Sequence, residues 1–212
     1  MRLKLKKFKN PSQAKTAAGV AKLIYGIYKN VRDAAWKCLI DFNITSLPVD
    51  LLDVAGKAGI KVIKNGDVRI LSSNEIGKCI YDYEENKWYL IYDDECTSGR
   101  RRFTIAHELG HIFLGHELIY SEYERTFSTH KTQPESEADM FASRLLAPAC
   151  VLWALDVRSA EEIASLCDIS QAASQIRAKR MQELYKRNKF LTTKGEQQVY
   201  EQFKCFIERR RL

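Results

Sequence analysis

Apolar residues recur along most of this chain at spacings of three and four, the period of a helix that buries one face. Val20, Ile24, Ile27, Val31 and Ala34 form the first such stripe after an Asn10-Pro11-Ser12 helix entry, and they predict a long amphipathic helix. Leu47-Pro48-Val49-Asp50 reads as a second helix start, with Leu51 to Ala58 helical in pattern and Gly59 as its stop. A short strand is expected around Lys61 to Ile63. From Gly77 to Tyr83 and from Lys87 to Tyr92, β-branched and aromatic residues dominate, and Glu84-Glu85-Asn86 between them predicts a hairpin. Helical spacing returns over 97–117 and 134–147, the second opened by Pro134 and followed by Pro148. Residues 118–133 have no clear period and read as a loop, a candidate lid. Ser159 with Glu162 is a capping-box signature, a break at Asp168-Ile169-Ser170 leads into a helix over Gln171 to Arg187, and a last charged helix runs from about Lys194 to the end.

Composition narrows the class. A chain of 212 residues, 45% of them hydrophobic, is long enough to bury a sizeable core. Its six cysteines stand far apart with no C-x-x-C pair, which argues against a zinc knuckle or a disulfide framework. The apolar stretch from Thr16 to Tyr28 is broken by Lys22 and too short to span a bilayer, so a cytoplasmic protein with no membrane partner is expected. The net charge of +7 belongs to the front, where residues 1–40 carry ten Lys or Arg against the single Asp33. Such an arm can meet nucleic acid or an acidic partner, though a lysine run is more often a solvated face.

The 97–117 helix contains Phe103-Thr104-Ile105-Ala106-His107-Glu108-Leu109-Gly110-His111, an H-E-x-x-H motif. Four helical residues amount to about 40° of rotation, so His107 and His111 project from one face, one turn apart, and two imidazoles so placed can meet one zinc ion. Glu108 lies about 60° around from His111, at the edge of such a site, where a carboxylate serves as general base towards water. Two incidental surface histidines would not explain the apolar residues around the trio: Phe103, Ile105, Ala106, Ile112, Phe113 and Leu114.

A catalytic zinc needs a third protein ligand and an open position. The metzincin arrangement would require glycine and histidine where this chain has Leu114 and Glu117; Gly115 and His116 are displaced by one residue. Glu135 is the better candidate, because Glu135 and Asp139 stand one turn apart on one face of the next helix while Glu137 points away. Glu135 would complete a gluzincin-like set, and Asp139 would accept the N–H of a ligating histidine and fix its tautomer. The bland alternative is a solvated acidic helix start favoured by the dipole. His116, Tyr120, Tyr123 and His130 are candidates for stabilising an oxyanion.

These segments resemble the ImmA/IrrE family of metallopeptidases, which pairs R-R-x-F-T-x-A-H-E-L-G-H with a downstream E-x-x-A-[ND]-x-F-A-x-x-L-L-x-P. Arg101 to His111 and Glu135 to Pro148 carry the two patterns, with Ala147 where the family often has Met, and the likeness spans roughly residues 45–190. The resemblance implies an α+β fold with a zincin-like domain, a small antiparallel sheet packed on the H-E-x-x-H helix. The chain is expected to divide into a basic helical extension over 1–44, a peptidase core over 45–150 and a helix-turn-helix-like region over 151–212. The resemblance also implies a Zn2+-dependent endopeptidase that cleaves a helix-turn-helix repressor and so releases a stress, phage or mobile-element programme. The helix after Ser170 carries Arg177, Lys179, Arg180 and Lys186, but with no glycine at its turn a packing or substrate-holding role is favoured over DNA contact. The rival functions are a zinc-sensing DNA-binding regulator and a non-catalytic partner-binding module.

Overall fold

A computed structural model describes residues 31–116 and 132–211. Of the first amphipathic stripe, Val20, Ile24 and Ile27 lie outside the described residues; its end is helix α1 (Val31–Asp41), which buries Ala34, Ala35, Trp36, Cys38 and Leu39. Asp50 opens α2 (Leu51–Lys57) because its carboxylate accepts the N–H groups of Leu52 and Asp53, and Gly59, at φ +71°, turns the chain out of it. Strand β1 (Lys61–Lys64) follows, then a single helical turn α3 (Asn65–Val68), and then the hairpin of β2 (Gly77–Asp82) and β3 (Lys87–Tyr92).

The sheet has the order β1-β3-β2 and is mixed, where the sequence predicted an antiparallel one. β2 runs antiparallel to β3, but β1 pairs with β3 in parallel, because residues 65–76 carry the chain across to the far side of β3 before β2 begins. Among the described residues no strand pairs with the outer side of β2. Trp88 to Tyr92 are all buried, as expected of a central strand covered on both faces.

Helix α4 (Ser98–Leu114) packs on β2 and β3 and, more extensively, on α5 (Gln133–Leu146). Phe113 and Phe141 meet with ring centroids 5.9 Å apart, both fully buried. The chain continues through α6 (Ala149–Ala154), α7 (Ala160–Cys167) and α8 (Gln171–Lys186). The expected capping box is present at Ser159 and Glu162. The single last helix of the sequence reading is two, α9 (Lys194–Gln202) and α10 (Lys204–Arg211), divided at Phe203, whose side chain is sunk in the core. One hydrophobic cluster runs from Ala34 to Ile207, and no helix among the described residues is long and apolar enough to cross a membrane.

The α7–α8 turn is packed against the start of α4. Arg102 on α4 donates to the carbonyls of Val49, Cys167 and Asp168, and a β-carbon at Gly99 would lie 2.7 Å from the backbone nitrogen of Ser170. Arg177, one of the four basic residues named on α8, is buried and donates to the carbonyl of Ala147. Lys179, Arg180 and Lys186 are exposed.

Candidate metal centre

Close approach of α4 and α5 is built on small residues. A β-carbon at Gly110 would stand 3.2 Å from Ala138 Cα and 3.3 Å from its carbonyl oxygen, so glycine facing alanine lets the two backbones come nearly into contact. The first turn of α5 is thereby held over the middle of α4. Glu135 Oε2 lies 3.2 Å from His107 Nε2, Glu135 Oε1 lies 3.4 Å from His111 Nε2, and the two Nε2 atoms are 3.0 Å apart. Ligand-capable atoms of all three residues fall within 4.8 Å of one another. Two imidazole nitrogens and a carboxylate are a donor set suited to a catalytic zinc, so His107, His111 and Glu135 could hold a divalent ion.

Asp139, one turn beyond Glu135, takes up the other side of His107: its Oδ1 is 2.7 Å from His107 Nδ1. A carboxylate only accepts, so His107 carries a proton on Nδ1; without a metal its Nε2 donates to Glu135, and that nitrogen is the one a bound ion would take. Hydrogen bonds from His107 and His111 hold the Glu135 carboxyl far below the usual range. Burial works against a charged His107, but hydrogen bonds to Asp139 and Glu135, with the charges of Glu108 and Asp139, push its pKa up to about 9.

That shift has a direction for the metal-free protein. A folded-state pKa above the ordinary value of 6.5 contributes stability that is fully present below about pH 6.5 and is lost as pH rises through about 9. With chelator present, the urea midpoint should therefore fall between pH 6.5 and 9 more steeply for the native chain than for His107→Gln. Equal slopes would contradict this account of His107.

Glu108 is 5% exposed and faces the start of β2. A β-carbon at Gly77 would collide with Thr104 Cγ2 and come within 3.1 Å of Glu108 Cγ, so only glycine lets the edge strand begin directly over this carboxylate. Sequence reading passed over Gly77 and Gly110, although a glycine opening a strand and another inside a helix are each a sign of close backbone approach.

His116 departs from its expected role. It is buried behind His111, with both ring nitrogens engaged, Nδ1 at 3.0 Å from His111 Nδ1 and Nε2 at 3.1 Å from Glu137 Oε2. Facing away from the Nε2 cluster, it is not a donor for an oxyanion there. Glu137, expected to point away from the face of Glu135 and Asp139, reaches His116, because α4 ends at Gly115 and folds His116 back towards α5. Tyr120, Tyr123 and His130, with all of the candidate lid over 118–133 except Thr132 and Gln133 at the start of α5, lie outside the described residues.

A family model described as the IrrE N-terminal-like domain, of a peptidase family, matches residues 56–179, more than half of the chain. That span includes His107, Glu108, His111, Glu135 and Asp139. No curated protein matches the chain.

Proposed function

The chain belongs to the ImmA/IrrE family of metallopeptidases, and on that footing we propose that it is a zinc-dependent endopeptidase in which His107, His111 and Glu135 hold the ion and Glu108 is the general base. The observation that carries this reading is the convergence of three donor residues from two helices within 4.8 Å, beside a buried glutamate on the same helix.

When bound, the ion supplies a Lewis acid that makes water more acidic and polarises the scissile carbonyl. Glu108 accepts the proton of the attacking water and delivers it to the departing amine nitrogen. Asp139 keeps His107 in the tautomer whose Nε2 faces the site. The outer edge of β2 receives the substrate backbone as an added strand, which supplies main-chain hydrogen bonds with little demand on sequence. Gly77 sets that edge against Glu108, so an added strand is delivered to the base.

The substrate proposed is a helix-turn-helix repressor in the cytoplasm, the class that family likeness implies. Co-expression with the repressor encoded beside its gene should yield a fragment that disappears when zinc is withheld. An intact repressor beside a zinc-loaded chain would remove that substrate from the proposal. The rival reading, a zinc-sensing DNA-binding regulator, has less support, because the α7–α8 turn is occupied by its packing on Arg102 and Gly99.

A further inference from the structure

His107 and His111 are each backed by a second residue, and among the described residues it is His107 that is backed directly by a carboxylate. Behind His111 the contacts run through another imidazole. His111 Nδ1 is 3.0 Å from His116 Nδ1, His116 Nε2 is 3.1 Å from Glu137 Oε2, and the other oxygen of Glu137 accepts a hydrogen bond of 2.8 Å from Gln133 Nε2. His111 is 0% and His116 is 2% exposed, so water has little access to settle the proton positions.

The carboxylate end decides the direction. Glu137 only accepts, so His116 donates from Nε2 and carries a lone pair on Nδ1. That lone pair accepts the Nδ1–H of His111, so that with an ion held the lone pair of His111 is on Nε2, the nitrogen that faces His107 and Glu135. The opposite order would set a bare His116 nitrogen against a carboxylate oxygen and put a proton on the His111 nitrogen that must ligate. Burying one such unmatched pair carries a desolvation penalty large enough to select one tautomer.

We propose that His116 and Glu137 are positioning residues for the metal centre, a relay that fixes the tautomer and ring plane of His111 as Asp139 does for His107. The proposal rests on the reading of His107, His111 and Glu135 as ligands. It also assigns a use to the Gly115-His116 pair, which sits one residue out of place for a metzincin ligand. Gly115, at φ +72°, ends α4 in the left-handed region that glycine adopts without strain, and so turns His116 onto the back of His111. The histidine one position too early to reach the ion reaches the ion's ligand instead.

The test is the zinc affinity of the full chain, measured by competition with a chromophoric chelator at constant pH. His116→Phe keeps a planar ring but removes the acceptor, and should weaken zinc binding by about 10–100-fold. His116→Gln, which keeps an acceptor oxygen, should recover most of that loss; a role in packing alone would not give this rescue. Should His116→Phe not fold, Glu137→Ala, at a side chain one-quarter exposed, carries the test and should weaken binding by about tenfold. Native chain that binds zinc tightly while His116→Gln and Glu137→Ala match it, and any folded His116→Phe does too, would overturn the relay. Native chain that takes up no zinc would overturn the metal-centre reading itself, a distinguishable result.

Discussion

Replacing Glu108 by glutamine should lower peptide-bond hydrolysis by about 10²–10⁴-fold while leaving bound zinc and melting temperature close to those of the native chain. The amide has the volume of the carboxylate and fills the same space between α4 and the Gly77 end of β2, so packing around this buried side chain is retained. What is lost is the capacity to take a proton from water and return it to the leaving amine. None of the three donor residues is altered, so metal content measured on the purified variant should remain stoichiometric. Cleavage by a zinc-loaded Glu108→Gln chain within tenfold of the native rate would remove Glu108 from the reaction.

Gly110→Leu is expected to abolish zinc binding without touching a donor atom. The residue sits where α4 and α5 are closest, and a β-carbon there is already 3.2 Å from Ala138 Cα. Alanine would require the neighbours to give by a few tenths of an ångström, whereas a leucine side chain has no space and must drive the helices apart. Overpacking of this kind costs about 1–3 kcal/mol, occasionally more. The separation also carries Glu135 away from His107 and His111, which now lie 3.2 and 3.4 Å from its oxygens. Urea denaturation and zinc titration of Gly110→Ala and Gly110→Leu should show a graded loss of both properties. A Gly110→Leu chain that takes up zinc with native affinity would refute the link between helix spacing and the site.

Much of this was legible in the sequence because it depends on local period. The 3.6-residue repeat put His107 and His111 on one face, β-branched and aromatic content marked β2 and β3, and Ser159 with Glu162 marked a helix start that the structure retains. The Glu135–Asp139 spacing likewise put both carboxylates on one face of α5, and both meet His107. What depends on contacts between distant segments could not be read this way. The parallel pairing of β1 with β3 follows from where residues 65–76 cross the sheet, and no periodicity encodes that route. Helical angles put Glu137 off the face of Glu135 and Asp139 but could not name its partner, which arrives from the end of another helix, through the turn at Gly115. Arg177 was grouped with Lys179, Arg180 and Lys186 on a helix for which packing was favoured over DNA contact, but its charge alone did not tell it from its exposed neighbours; its guanidinium is spent on a backbone carbonyl.

Arg102 bears on how this protein could be taken apart. One guanidinium, five residues before His107, donates to backbone oxygens of Val49 and, at the close of α7, of Cys167 and Asp168. A fragment cut after Pro148 would strip that cation of two acceptors and would also delete Arg177 from the Ala147 carbonyl at the cut. The smallest portable unit therefore extends through α8, and transplanting the H-E-x-x-H segment into another scaffold means carrying its distant C-terminal brace along.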